Sequence, residues 1–218
     1  MEVFFREMNI CKYMFENIEW VFFDVGSTLV DESYVYNHIF RDISELTNLS
    51  YEYIYNEALK LYKQNKKGDI ELINRYNLPK RVWYMEEEVL YEDVNKCLEV
   101  LSKKYKIGII ANQELGTKKR LEQWDILKYI DLVIASAEEG VAKPDVKIFE
   151  IALKRAGCES NKAVMVGDRI DNDIVPAKKI GMNTIWVKQG FGGYWTVTKK
   201  CEEADCIVNK INEICDYL

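Results

Sequence analysis

Six short apolar segments, spaced along the chain, limit the folds it can adopt more than any other feature. They are residues 20–23, 107–111, 132–135, 163–166, 184–187 and 206–208. Each is nearly continuous in apolar residues, which is typical of strands covered on both faces of a sheet. Helical spacing fills most of the gaps after residue 91, as at 94–105, 116–124, 145–156 and 171–179. This alternation predicts an α/β fold with a mostly parallel sheet and helices on both faces.

Residues 33–88 break the alternation, because no strand-like segment follows residue 23 until residue 107. Two sets of apolar residues instead repeat at intervals of three or four, which predicts two helices. The sets are Tyr36, Ile39, Ile43 and Leu46, and Tyr51, Ile54, Ala58 and Leu61. We therefore expect a core of residues 18–32 and 89–218, a small all-helical cap at 33–88, and an N-terminal extension at 1–17.

Charge and hydropathy exclude several classes of partner. The 218 residues carry a net charge of −6, whereas a nucleic-acid groove needs clustered cations. No apolar segment approaches the roughly 20 residues of a membrane-spanning helix, and the start of the chain lacks the pattern of a signal peptide. We expect a cytoplasmic protein, monomeric or homodimeric, with no nucleic-acid partner and no membrane partner.

The histidine and cysteine content narrows the chemistry. Six cysteines occur without a Cys-x-x-Cys pair, and His38 is the only histidine, so no familiar zinc-binding pattern is present. A Ser-His-Asp triad would have to use His38, yet the chain has no Gly-x-Ser-x-Gly nucleophile elbow. Catalysis is therefore expected from carboxylates.

Polar and charged residues follow the predicted strands. Asp24 follows the first strand, Asn112 the second and Lys143 the third, while acidic residues follow the fourth at 168–173 and glycines follow the fifth at 189–193. The carboxyl ends of parallel strands form the edge of a sheet at which ligands bind. Several carboxylates cannot all stay ionised at one edge without a hard cation, which predicts Mg²⁺.

The same residues suit phosphoryl transfer. Lys143 supplies a positive charge for a phosphoryl group, and backbone N–H groups of the loop after Asp24 can hold phosphate oxygens. The Asp24 carboxylate can attack phosphorus and form an aspartyl-phosphate, which water then hydrolyses. Each residue alone is typical of a turn or a helix cap. Their order at successive strand ends points to a site.

Four segments in this order resemble the motifs of the haloacid dehalogenase (HAD) superfamily. They are residues 22–29 (FFDVGSTL), 109–112 (IIAN), 143–145 (KPD) and 166–173 (VGDRIDND). The resemblance implies a Rossmann-like three-layer core, a small helical cap of the C1 type after the first strand, Mg²⁺ dependence and, most often, phosphatase activity. The implied substrate is a small phosphorylated molecule.

The resemblance also implies roles for individual residues. Asp24 would be the nucleophile and a metal ligand, and Lys143 would neutralise the phosphate. Asp168 would bind the metal, with Asp173 as an acidic partner that contacts the metal's ligands or reaches the metal through water. The remaining positions matching the metal and phosphate sites are Gly26, Ser27, Ala111 and Asn112, of which Gly26 would offer its carbonyl to the metal.

Two positions depart from the family pattern. A second aspartate, which acts as general acid and then as base, usually stands where this chain has Gly26, so turnover on poor leaving groups should fall by about 10²- to 10⁴-fold. A serine or threonine that binds phosphate usually stands at Ala111. Asp31 and Glu32 are candidates to replace the missing acid, although an acidic pair there is also typical of a helix cap.

These departures leave alternatives to a phosphatase. One is a catalytically impaired HAD protein that binds a phosphate compound or a partner. Another is a dehalogenase, a branch that lacks the second aspartate but does not need the acids at 168–173. A third is a phosphonate hydrolase, which needs a cap lysine of depressed pKa, whereas Lys60, Lys63, Lys66 and Lys67 are expected to be solvated.

Overall fold

The computed structural model describes residues 15–218. Its strands are β1 (Trp20–Phe23), β2 (Val30–Asp31), β3 (Val89–Leu90), β4 (Lys106–Ala111), β5 (Leu132–Ala135), β6 (Ala163–Gly167), β7 (Asn183–Val187) and β8 (Cys206–Val208). Six of them form one sheet in the order β5-β4-β1-β6-β7-β8, and every pairing in it is parallel. The predicted α/β fold with a mostly parallel sheet is therefore confirmed.

The order of the strands places the end of β1 at the centre of the sheet. Phe23, the last residue of β1, pairs with Ile109 on one side and with Val166 on the other. The chain order reverses direction at β1, and a crevice forms at such a switch point. The residue that follows β1 is Asp24, which therefore lies between the carboxyl ends of β4 and β6.

The helices cover both faces of the sheet and fill the insertion after β2. They are α1 (Ser33–Thr47), α2 (Tyr51–Tyr62), α3 (Gly68–Arg75), α4 (Val94–Leu101), α5 (Thr117–Gln123), α6 (Ser136–Glu139), α7 (Val146–Ala156) and α8 (Val175–Lys179). A π-helical segment at Ile170–Ile174 precedes α8. The sequence patterns predicted α1 and α2 but missed α3.

Two apolar clusters lie on opposite faces of the sheet. One contains Val21 and Phe23 of β1 together with Leu98 of α4, and the other contains Phe22 of β1 with Phe149 of α7. All five of these side chains are buried. Successive side chains of a strand point to opposite faces, so both faces of β1 are covered, as its continuous apolar sequence predicts.

A third apolar cluster joins helices α1 to α3 to the sheet. It includes Phe40 of α1 and Ile54 of α2, and it extends to Ile174 and Trp186 near the carboxyl ends of β6 and β7. Phe191, in the loop after β7, packs its ring against that of Tyr62 at a centroid distance of 4.5 Å. The helices of residues 33–88 therefore lie over the sheet edge that carries Asp24.

Strands β2 and β3 form a separate antiparallel pair where residues 33–88 leave and rejoin the rest of the chain. The sequence patterns did not predict this pair, because two residues are too few to show strand periodicity. Residues 1–14, most of the expected N-terminal extension, lie outside the described part. Among residues 15–218 no helix is long and apolar enough to cross a membrane.

Candidate active site

Lys143 joins two aspartates at the centre of the sheet edge. Its Nζ lies 2.7 Å from Oδ1 of Asp24 and 2.6 Å from Oδ1 of Asp173. The Lys143 side chain is 1% exposed, and burial alone would lower its pKa. The charges of Asp173 and Asp24 outweigh burial and raise the pKa of Lys143, so its ammonium stays charged.

Asp24, Asp168 and Asp173 form a cluster of three carboxylates. Each offers an oxygen, and these oxygens lie within 4.8 Å of one another. Burial raises the pKa of Asp173 to about 6, with the charge of Asp24 adding to the effect and Lys143 opposing it. Burial also raises the pKa of Asp168 well above its usual range, as do the charges of Asp173 and Asp24. Three carboxylates at this separation therefore hold more negative charge than Lys143 alone can balance.

The carboxylate of Asp168 is buried, and the hydrogen bonds found among residues 15–218 include none to its oxygens. By contrast, both oxygens of Asp173 are engaged, one by Lys143 and the other by the backbone N–H of Arg169 at 2.9 Å. Asp168 is close to the backbone of Gly192, where an added Cβ would overlap its Oδ2. A buried carboxylate with no protein donor suits a cation ligand, because oxygen ligands are what Mg²⁺ prefers.

Asn112 holds the backbone of Lys143. The Asn112 side chain donates to the Lys143 carbonyl at 2.8 Å and accepts from the Lys143 N–H at 2.7 Å. The two residues follow different strands, so this pair of bonds fixes where the Lys143 loop meets the end of β4. Ala111, the last residue of β4, is fully buried, whereas Asn112 lines the cavity described below.

Glu32 reaches back from the base of α1 to the loop after Asp24. Its carboxyl accepts a hydrogen bond from the Ser27 hydroxyl at 2.7 Å, and a Cβ added to Gly26 would overlap its Oε1. Glu32 is 8% exposed. Burial raises its pKa to about 8, the charges of Glu88 and Asp24 add to the effect, and the Ser27 hydrogen bond only partly opposes it. At neutral pH this carboxyl group is therefore mostly protonated.

Asp31 and Glu32, the two candidates to replace the acid missing at position 26, have different roles in the structure. Asp31 accepts a hydrogen bond from the backbone N–H of Ser33 at 2.8 Å, which is the capping role at the start of α1. Glu32 makes no capping bond and turns towards Gly26 and Ser27 instead. No periodicity in the sequence distinguishes the two, because they are adjacent and both precede the helix.

A cavity of about 460 Å³ opens above the carboxylates. Six of the residues expected to form the site line this cavity, namely Asp24, Gly26, Ser27, Asn112, Lys143 and Asp168. Glu32 lines the cavity as well. Ala111 and Asp173 do not line it, since both are fully buried. Arg169 also lines the cavity, but its guanidinium pairs with the Asp171 carboxylate at 2.8 and 3.0 Å, so Asp171 is not part of the carboxylate cluster.

Residues 33–88 supply the opposite wall of the cavity. Tyr62 and Trp83 line it, whereas Tyr84 stacks on His38 at a centroid distance of 3.6 Å, away from the cavity. Lys60, Lys63 and Lys66 are exposed, as expected. Lys67 is exposed as well, and unlike the other three it also lines the cavity. Partial desolvation lowers the pKa of Lys67, and the nearby charge of Arg169 lowers it further.

Comparisons with known proteins identify a family for the chain. A family model described as haloacid dehalogenase-like hydrolase matches residues 21–187. Glyceraldehyde 3-phosphate phosphatase of Pyrococcus furiosus is 29% identical, over 92% of this chain and 93% of the relative.

Solved structures share the fold. A HAD phosphatase from Thermococcus onnurineus superposes with a TM-score of 0.61 and 24% identity, over 90% of this chain and 96% of that chain. The putative HAD-hydrolase YfnB of Bacillus subtilis, solved bound to magnesium, superposes with a TM-score of 0.66 and 16% identity, over 91% of this chain and 97% of that chain. These matches confirm the resemblance drawn from the four sequence motifs and the fold class that it implied.

Proposed function

This chain belongs to the haloacid dehalogenase-like hydrolase family, and from that premise we propose that it is a Mg²⁺-dependent phosphatase of small phosphorylated metabolites. The phosphoryl group is transferred to Asp24 and then to water. The observation that carries the proposal is the contact of Lys143 with both Asp24 and Asp173 beneath a cavity of about 460 Å³. The name of the P. furiosus relative, which specifies a phosphatase of a small phosphorylated sugar, supports the same class of substrate.

The donor set fits Mg²⁺. The cation would be held by Asp24, Asp168 and the backbone carbonyl of Gly26, with Asp173 acting through water because Lys143 and Arg169 already engage its oxygens. The buried Asp168 carboxylate, which has no donor among the described residues, is the feature of this structure that supports such a site. When bound, Mg²⁺ supplies charge that neutralises the carboxylates and the phosphoryl oxygens.

Lys143 and the loop after Asp24 would bind the phosphoryl group. The Lys143 ammonium is positioned by Asn112 and kept charged by the two aspartates, so it can balance phosphate charge without taking up a proton. Backbone N–H groups at Gly26 and Ser27 would bind phosphoryl oxygens. Ala111 lacks the hydroxyl that the family motif implies at this position, so Asn112 is the polar side chain left at the end of β4.

The reaction would proceed in two displacements at phosphorus. The Asp24 carboxylate attacks the phosphorus atom, the bond to the ester oxygen breaks, and the leaving alcohol takes a proton. Water then attacks the aspartyl-phosphate, loses a proton to a base, and releases inorganic phosphate with Asp24 restored.

Glu32 is the group we assign to both proton transfers. Its carboxyl lies against Gly26, lines the cavity and is mostly protonated at neutral pH, so it can donate to the leaving oxygen. The resulting carboxylate can then accept the proton of the attacking water. The glycine at position 26 predicts weak activity. Glu32, six positions later, would restore that activity by supplying the missing acid.

We also propose the division of the chain that its motifs suggested, with residues 33–88 as a cap over a core of residues 18–32 and 89–218. The three helices α1 to α3 and the cavity wall contributed by Tyr62 and Trp83 support it. In this arrangement the core carries the reacting groups and the cap faces the substrate's leaving group.

Hydrolysis of p-nitrophenyl phosphate tests the function. We expect turnover that requires Mg²⁺, is lost in EDTA and is lost in Asp24→Asn. Asp125→Asn is the matched control, since Asp125 lies on the surface beside Lys128 and should keep full activity. Activity that survives Asp24→Asn would reject the proposed nucleophile.

A further inference from the structure

The wall of the cavity that comes from residues 33–88 is cationic. Seven residues of this segment line the cavity, and they include Lys67, Lys80 and Arg81 but no carboxylate. The chain as a whole carries a net charge of −6, so a cationic wall is a local departure from its composition.

The cations around the cavity differ in whether they already have partners. Arg81 pairs with the buried carboxylate of Asp69 and stacks on Trp83, and Arg169 pairs with Asp171. By contrast, the ion pairs found within residues 15–218 include none from Lys67 or Lys80. Among residues 15–218, two ammonium groups at the cavity are therefore without a direct ion pair.

Lys67 is the more informative of the two. It lines the cavity together with Arg169 and Arg81. Partial burial and the charges of these two guanidinium groups lower the pKa of Lys67, and the charges of Asp171 and Asp69 oppose them only in part. Arg169 is itself held in place, since it pairs with Asp171 and its guanidinium lies 4.3 Å from the centre of the Trp195 ring. Arg81 and Arg169 are already balanced by their aspartates, so Lys67 and Lys80 are the charges on this wall that favour the entry of an anion.

The phosphoryl group does not account for these charges. It is expected at Lys143, which has its own pair of aspartates on the core side. The anion that would balance Lys67 must therefore belong to a second group, on the part of the molecule that contacts the cap. The cavity volume of about 460 Å³ lies in the range of sites for small molecules and leaves room for such a group.

We propose that Lys67, with Arg169 and Arg81 beside it, binds a second anionic group of the substrate. The preferred substrates are then small phosphate monoesters that also carry a carboxylate or a second phosphate. This inference rests on the proposed phosphatase function for the position of the first phosphate, but the binding of two anionic groups can be measured without turnover.

A matched pair of unreactive ligands tests the second site. Calorimetry with Mg²⁺ present compares 3-phosphonopropionate with propylphosphonate, which differ in the carboxylate alone. We expect the carboxylate to tighten binding by about 10- to 100-fold, the range of a hydrogen bond to a charged group. Lys67→Met should abolish most of this difference, whereas Lys67→Arg should retain most of it because the charge remains.

Lys66→Met is the matched control, since Lys66 is an exposed neighbour that does not line the cavity. Its preference for the carboxylate ligand should equal that of the wild type. Equal affinity for the two ligands in the wild type, or a preference unchanged in Lys67→Met, would overturn the proposal. So would an imine trapped by borohydride at Lys67 with phosphonoacetaldehyde, because Lys67 would then be a nucleophile and Lys67→Arg would lose function.

Hydrolysis assays separate this inference from the proposed function. The pairs are 2-phosphoglycolate with ethylene glycol monophosphate, and propane-1,3-diol bisphosphate with its monophosphate, which distinguish a carboxylate from a second phosphate. Turnover of the neutral partners as fast as the anionic ones would reject the second site and leave the phosphatase standing. A binding preference without turnover of any ester would reject the phosphatase and leave the second site standing.

Discussion

The carboxyl group of Glu32 occupies the space that a side chain on Gly26 would need. A Cβ on Gly26 would overlap Oε1 of Glu32, and Oε2 of the same carboxyl accepts a hydrogen bond from Ser27 at 2.7 Å. The glycine at position 26 and the acid at position 32 are thus complementary. An acid is present beside the Asp24 loop, although it comes from the base of α1 and not from the loop itself.

Glu32→Gln should therefore impair turnover according to the leaving group. Hydrolysis of an alkyl phosphate should fall by about 10²- to 10⁴-fold, the usual contribution of a positioned acid–base group. Hydrolysis of p-nitrophenyl phosphate should fall much less in its first step, because the nitrophenolate leaves without a proton. Steady-state kinetics on the two substrates measure the difference.

Asp31→Asn is the control for this substitution. Asp31 is adjacent to Glu32 in the chain but caps α1, so its loss should affect stability slightly and leave the ratio of the two activities unchanged. An alkyl phosphatase activity that is as high in Glu32→Gln as in Asp31→Asn would show that Glu32 is not the acid.

Moving the acid back to position 26 gives a second test of the same relationship. Gly26→Asp alone should be destabilising and poorly active, since its side chain overlaps Glu32. Glu32→Ala together with Gly26→Asp removes the overlap and restores an acid at the usual family position. The double variant should hydrolyse alkyl phosphates at least tenfold faster than Glu32→Ala alone. Equal rates would mean that the two positions are not interchangeable.

Lys143→Ala should destabilise the metal-free protein. The substitution leaves the buried carboxylate of Asp173 and the partly buried one of Asp24 without their counter-ion, and breaking a buried ion pair costs about 3–5 kcal/mol. The free energy of unfolding, measured by urea denaturation in EDTA, reports the loss. Lys162→Ala, which breaks a surface pair with Glu19, should cost no more than about 1 kcal/mol. Similar losses for both variants would contradict the account of Lys143.

The metal-free protein should lose stability as pH rises. The pKa of Asp173 is raised to about 6 and that of Asp168 is raised well above its usual range, so both bind protons more tightly folded than unfolded. Their contribution to the free energy of unfolding is complete below about pH 4 and is lost as the pH rises through 6 and beyond. The loss is about 1.4 kcal/mol for each pH unit by which the pKa in the folded protein exceeds that in the unfolded chain.

Urea denaturation between pH 4 and pH 8 in EDTA measures this decline. Saturating Mg²⁺ should remove the part of the decline that comes from Asp168 and Asp173, because the cation binds their ionised forms, and should leave the part that comes from Glu32, whose pKa is raised to about 8. Asp168→Asn should be more stable than the wild type at pH 8 in EDTA. A wild type more stable than Asp168→Asn at pH 8 in EDTA would contradict the claim that the clustered carboxylates destabilise the metal-free protein.

The sheet and its polar edge could be predicted from sequence because both depend on local patterns. The bounds of β1 at Trp20–Phe23 and of β5 at Leu132–Ala135 match the apolar segments, since strands covered on both faces are continuous in apolar residues. Asp24 and Lys143 follow strands in the sequence, and parallel pairing alone is enough to bring them to one edge.

Features that depend on packing between distant segments could not be predicted. The geometry of the chain as it enters α1 decides which of Asp31 and Glu32 turns towards Gly26. The sequence does not show this, because adjacent acids give no periodic signal. Lys67 is exposed like its neighbours Lys63 and Lys66, as expected, and only the position of α3 over the sheet edge places it at the cavity. The short strands β2 and β3 were likewise below the length at which a pattern can be recognised.

The most direct test of the phosphatase mechanism is to trap the phosphorylated enzyme. The wild type is mixed with a phosphate monoester and Mg²⁺ under single-turnover conditions, quenched in acid within the first turnover, and digested for peptide mass spectrometry. We expect one phosphoryl group on the peptide that contains Asp24, at a level that rises and then falls as phosphate is released, and none in Asp24→Asn. Release of phosphate with no phosphorylated peptide at any time, together with turnover by Asp24→Asn, would contradict the account.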